Sequence, residues 1–142
     1  MRISDVIRRK GAEVVTITPD DTVRRLLDLL AEHRIGALVV SPDGSTVAGI
    51  VSERDVVRHV QRAGTDVLDQ TVAQIMTADV TTCGPDDDVE HLMRLMTDQR
   101  VRHIPVVADG ALLGIVSIGD VVKHRIDELQ SERDQLVGYI NQ

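Results

Sequence analysis

Gly49-Ile50-Val51-Ser52-Glu53-Arg54-Asp55-Val56-Val57 is written a second time as Gly114-Ile115-Val116-Ser117-Ile118-Gly119-Asp120-Val121-Val122, with seven of the nine positions identical. Each copy reads as a buried apolar strand that breaks at a serine and turns into a helix, with an aspartate three residues in. Two such corners predict two equivalent places for a ligand. Ser-x-x-Asp ahead of an apolar helix is also a capping box, in which each side chain satisfies the other residue's free backbone N–H. A capping box needs no ligand.

Outward from these corners the whole chain repeats. Pro85 lies 66 positions after Pro19 and Asp109-Gly110 lies 66 after Asp43-Gly44, while Gly114 and Asp120 lie 65 after Gly49 and Asp55, so the second copy has lost one residue between its hairpin strands. Val23, Leu26, Leu27 and Leu30, and later Val89, Leu92, Met93 and Met96, fall at i, i+3, i+4 and i+7 and predict two equivalent amphipathic helices. Val14 to Ile17 and Val80 to Cys83 read as short strands, and residues 35–40 with 47–51 and 104–107 with 112–116 as two hairpins. Ile3, Val6 and Ile7 open the first copy as Val72, Ile75 and Met76 open the second. Gln61 to Gln70 reads as a polar connection broken at Gly64.

The predicted fold class is therefore α+β or α/β. It consists of duplicated β-α-β-β-α units packed with pseudo-two-fold symmetry, plus a C-terminal helix. The first repeat spans 1–62, a linker 63–71, the second repeat 72–126 and a helical extension 127–142. Each half is too small to bury a core of its own, so the two sheets are expected to pack face to face and share one. The extension carries Val122, Ile126, Leu129, Leu136 and Ile140 at near-heptad spacing interrupted at Arg133, which fits either folding back on the domain or docking on a partner chain.

Composition narrows the function. Tyr139 is the only aromatic residue among 142 and the net charge is −7, so both the stacking platform and the basic surface that hold nucleic acid are missing. No run approaches the roughly 18 apolar residues of a membrane span, and no apolar leader opens the chain. A soluble, cytoplasmic protein is expected, with neither nucleic acid nor membrane as partner. The single cysteine, Cys83, excludes an intramolecular disulfide. The five histidines show no metal-ligand spacing, and neither a Walker-type phosphate loop nor a dinucleotide fingerprint is present. Asp20-Asp21 and Asp86-Asp87-Asp88 precede helices, where negative charge is favourable without catalysis. The sequence predicts no catalytic residue, no metal and no enzyme.

The doubled Gly-x-x-Ser-x-x-Asp pattern, with Arg100-Val101-Arg102-His103-Ile104-Pro105-Val106, resembles the tandem CBS-domain pair, or Bateman module. The resemblance covers about residues 1–126. It implies a homodimeric regulatory module that binds adenosine-containing ligands (AMP, ADP, ATP, NAD or S-adenosylmethionine) in clefts between the repeats, as a metabolite sensor and not with a catalytic cofactor. It maps the ribose and phosphate grip onto Ser52 and Asp55 and onto Ser117 and Asp120. A carboxylate can accept two hydrogen bonds from the vicinal ribose hydroxyls, and a serine at a helix start suits a phosphate oxygen. Basic groups from Arg102 and His103, with Ile104 and Pro105 beside the base, complete one cleft. Gly36 and Ala37 stand at the matching place in the first copy, where Arg54 supplies a cation that Gly119 cannot, so the clefts are expected to differ. Thr16, Thr18 and Thr82 fall on the strands that close around adenine. The alternative is an interaction module with an unidentified protein target and vestigial clefts.

Overall fold

In the computed structural model, residues 1–11 and 13–141 are described; Gln142, at the end of the predicted extension, and Ala12 lie outside them. The chain runs α1 (Ile3–Lys10), β1 (Thr16–Ile17), α2 (Val23–His33), β2 (Ala37–Val40), β3 (Gly49–Ser52) and α3 (Glu53–Ala63). After a 3₁₀ turn at Thr65–Asp69 it continues through α4 (Val72–Ile75), α5 (Val89–Gln99), β4 (His103–Ala108), β5 (Ala111–Ser117) and α6 (Ile118–Ile140). The predicted mixed architecture, two small sheets with helices and a long terminal helix, is the one observed.

The two hairpins match rung for rung over four pairs, Ala37–Ser52 to Val40–Gly49 and His103–Ser117 to Val106–Gly114. In the first sheet β1 pairs in parallel with β2, and β2 pairs antiparallel with β3 so that Ala37 faces Ser52. In the second, β4 and β5 pair antiparallel so that His103 faces Ser117. Asp109 and Gly110, both at positive φ (53° and 77°), close that hairpin as a tight turn whose twist matches the strands. Helices α2 and α5 both end on an arginine in the left-handed region, Arg34 and Arg100, whose N–H groups bond to Leu30 and Met96 carbonyls.

The third strand of the second sheet is shorter than predicted. Of Val80 to Cys83, only Cys83 pairs, by a parallel bridge to Val106. The Cys83 N–H donates to the Pro105 carbonyl (3.0 Å) and the Val107 N–H to the Cys83 carbonyl (2.8 Å). The next rung would need an amide on residue 105, and proline has none to give. In the first sheet Val39 stands at that position.

Two separate hydrophobic clusters form, in place of the one shared core expected. One gathers Ile17, Val23, Leu26, Leu38, Val40 and Val51 with Val72 and Ile75 of α4; the other gathers Val89, Leu92, Met96, Ile104 and Val116 with Ile3 and Val6 of α1. The opening helix of each repeat therefore completes the core of the other. Backbone bonds fix the exchange: Ile3 and Ser4 N–H groups donate to the Asp87 and Pro85 carbonyls, Val72 N–H donates to Asp21, and Ile50 and Thr77 bond reciprocally. This explains the doubled glycines, because a Cβ on Gly49 would stand 2.7 Å from the Met76 sulfur and 2.9 Å from the Thr77 carbonyl oxygen, and one on Gly114 would stand 2.8 Å from the tip of Ile7.

Two smaller departures concern which apolar groups are inside. Leu29, not Leu27, completes the buried face of α2. The predicted polar connection forms the 3₁₀ turn whose Val67 is buried in the first cluster, so the tether is part of the fold. Helix α6 keeps a row of apolar side chains in solvent, among them Ile118, Val122, Ile126 and Leu129. Among the described residues no helix is long and apolar enough to cross a membrane.

Candidate functional site

Both Ser-x-x-Asp corners are capping boxes. At the first, Ser52 Oγ accepts from Asp55 N–H (3.3 Å), while Asp55 Oδ2 accepts from Ser52 N–H (2.8 Å) and from Ser52 Oγ–H (3.0 Å). At the second, Ser117 Oγ accepts from Asp120 N–H (3.1 Å) and Asp120 Oδ2 accepts from Ser117 N–H (2.9 Å). The cap aims each carboxylate and uses mainly one of its two oxygens. It pre-orients the side chain without exhausting its acceptor capacity.

The first corner opens on a cleft between the repeats of about 280 Å³. Seven of the predicted residues line it: Gly36, Ala37, Ser52, Arg54 and Asp55 from the first repeat, Arg102 and His103 from the second. The sequence reading missed Arg58, Thr77 and Asp79, which also line it, along with Val80, Thr81 and Arg100. Arg58 could have been found one turn beyond Arg54 on α3, where i and i+4 share a face. Four guanidiniums thus border one cleft, Arg54, Arg58, Arg100 and Arg102. None has an ion-pair partner among the described residues.

His103 stands where the repeats meet. Burial first, then the Lys10 ammonium, hold its pKa below the usual histidine value, with Asp120 and Glu53 opposing. A Cβ on Gly36 would lie 3.5 Å from Glu53 Oε1 and 3.6 Å from the His103 ring, so Glu53 and His103 already contact the open side of this glycine.

The second corner is occupied by the chain itself. Lys10 Nζ, at the end of α1, donates to Asp120 Oδ2 (2.8 Å) and to the Ile115 carbonyl (2.8 Å). Burial alone would raise the Asp120 pKa; the Lys10 bond and the Ser117 N–H together outweigh it and hold the carboxyl below its usual range.

The remaining predicted residues fall elsewhere. Ile104 is fully buried in the second cluster, and Pro105 is interior, paired with Ile115. Thr18 donates its N–H and hydroxyl to Asp21 in a turn, Thr16 pairs with Val39, and Thr82 is exposed beside Thr81, which does reach the cleft. Cys83 lies in the second cluster with its thiol pushed up to about 12, by burial and then by Asp87, so it is a protonated packing group at neutral pH. Among the described residues no cluster of three or more His, Cys, Asp or Glu is placed to hold a metal ion. Another hollow, between α1 and α6, is lined by Met1, Arg9, His124, Glu128 and Gln135 and contains none of the predicted site residues.

The exchanged helices and twin corners agree with a match to the CBS domain family over residues 3–62 and 72–127. The chain belongs to the CBS-domain family. It is 40% identical over 146 residues to the mitochondrial CBS domain-containing protein CBSX3 of Arabidopsis thaliana, a match covering 97% of this chain and 71% of that one. Among solved structures it is similar to a CBS-domain containing protein from Agrobacterium tumefaciens, with TM-score 0.85, 42% identity and coverage of 88% and 99% of the two chains. The CBS domain pair of protein MJ0100, solved in complex with 5′-methylthioadenosine and S-adenosyl-L-methionine, shares the fold at TM-score 0.77 and 22% identity, with 87% and 98% covered. The chain is thus a tandem CBS pair, a module of the regulatory kind.

Proposed function

We propose that this CBS pair is a binding module, not an enzyme, and that it senses a phosphorylated adenosine compound held in the cleft at the first corner. The observation that carries the reading is the Asp55 carboxylate, pre-oriented by its capping box and sharing one cleft with four unpaired guanidiniums. Asp55 Oδ1 takes the ribose diol. Arg54, Arg58, Arg100 and Arg102 take the phosphates, and the base lies toward Gly36 and Ala37. Arg54 and Arg58 are like charges at i and i+4, an arrangement that costs a few tenths of a kcal/mol unless an anion stands between them. Against the Glu53, Asp55 and Asp79 carboxylates in the same cleft the four guanidiniums leave a net positive spot in a chain of net charge −7, which favours a phosphate ester over a sulfonium compound. That this fold accommodates adenosine ligands is supported by the MJ0100 complex.

A ligand touching both repeats biases their relative arrangement only as far as it binds the two arrangements unequally. The output surface in this reading is a homodimer interface formed by the exposed row Ile118, Val122, Ile126 and Leu129 of α6, whose apolar side chains a second copy would cover. Thermal melting with AMP, ATP, NAD and S-adenosylmethionine tests the ligand class, since a ligand at about 100 times its dissociation constant adds about 2.7 kcal/mol. Stabilisation by the phosphorylated compounds is expected. A protein unmoved by all four at millimolar level contradicts the proposal.

A further inference from the structure

Helix α1 and the segment around α4 are equivalent by the repeat, and each crosses to the opposite core. Ile3, Val6 and Ile7 correspond to Val72, Ile75 and Met76, each 69 residues further along, and the same step carries Lys10 to Asp79. The correspondence is spatial as well, for Ile7 approaches Gly114 as Met76 approaches Gly49. At the place where one corner has an exposed aspartate lining the open cleft, the other therefore has an ammonium on its carboxylate.

We propose that Lys10 is a specificity-determining residue that closes the second corner to a ribose diol, so that the chain binds one nucleotide and not two. This rests on the nucleotide reading of the first corner. The Lys10 ammonium donates one hydrogen bond to Asp120 Oδ2 and another to the Ile115 carbonyl, so it is held from two sides. A hydroxyl bond to a free carboxylate is charge-assisted and about twice as strong as a neutral one. The Lys10 ammonium, however, pairs with the Asp120 charge, so Oδ1, the oxygen that the cap and Lys10 leave free, offers a ribose diol a weaker acceptor than Asp55 Oδ1 does. The second corner also lacks a counterpart of Arg54, since Gly119 stands there, so an incoming phosphate finds less to offset displacing Lys10. Asp79 cannot act this way at the first corner, because a carboxylate has no donor for Asp55. Lys10 acts through Asp120 and need not touch the ligand.

The test is the number of ATP molecules bound per full-length chain, by titration calorimetry. Wild type is expected to bind one and Lys10→Met, which keeps the aliphatic stem, two. Lys10→Arg keeps the charge and should remain at one. Two equivalents on wild type, or one on a folded Lys10→Met, overturn the closure. Weaker binding by Lys10→Met would make Lys10 a ligand contact, and overturns it equally. Should Lys10→Met fail to fold, Asp79→Lys at an exposed position transplants the device: loss of the single equivalent supports the inference and its retention overturns it. No binding by either wild type or Lys10→Met overturns the nucleotide reading underneath.

Discussion

The two Ser-x-x-Asp corners share the serine and aspartate, the cap and the register, yet one carboxylate lines an open cleft with four arginines and the other is bonded to Lys10. Part of the difference lies inside the motif, where Gly119 stands in place of Arg54, and the rest in what the exchanged segments bring to it. A duplicated motif therefore fixes the orientation of a functional group, while its availability is decided by residues that reach it through tertiary structure.

The largest difference between the corners should appear on removing their carboxylates. Asp55→Ala is expected to weaken ATP binding by on the order of 10–100-fold, the scale of hydrogen bonds to a charged group, whereas Asp120→Ala should leave affinity at the first corner within a factor of about two. Titration calorimetry on both variants reads this directly, and equal losses would mean that the corners are equivalent after all.

Stability separates them in a second way. Gly49→Ala puts a methyl group against a backbone carbonyl oxygen that the Ile50–Thr77 pairing holds in place, so a loss of about 1–3 kcal/mol is expected from overpacking. Gly114→Ala meets only the end of the Ile7 side chain, which can turn aside, and should cost less. Denaturant midpoints that fall in the opposite order would show that the exchange is not what demands glycine. Smaller again, Ser52→Ala and Ser117→Ala each remove a cap and should cost about 1 kcal/mol. A much larger loss at either serine would indicate a role beyond the cap.

The weakest effect is on pH dependence. His103 is held below the unfolded value of about 6.5 by burial and by Lys10, so below that pH the unfolded chain takes up the proton more readily. The associated stability is present above pH 6.5 and is lost as pH falls through the folded-state value. Melting curves from pH 7.5 to 5 should slope less for His103→Gln than for wild type. An unchanged slope would remove His103 from the account.

Much of this was legible in the chain. The doubled corner gave the caps, the hairpins and the aspartates, because local periodicity and capping chemistry decide them. Arg58 was within reach through its helical spacing from Arg54. Lys10 was not, since nothing in the pattern of α1 says that it packs on the second core, and an ammonium in a last helical turn reads as an ordinary complement to the helix dipole. Ile104 lies in the core because strand alternation turns it inward when His103 faces the cleft. Pro105 shortened its neighbouring strand through a missing amide, and Thr81, not Thr82, lines the cleft.

That Asp55 holds a ribose diol is decided by comparing ATP with its 2′,3′-dideoxy counterpart on wild type and on Asp55→Ala. Wild type should bind ATP at least about tenfold more tightly than the dideoxy compound and Asp55→Ala should bind the two alike, the pairwise coupling isolating that one contact. A preference for the diol that survives in Asp55→Ala would contradict it.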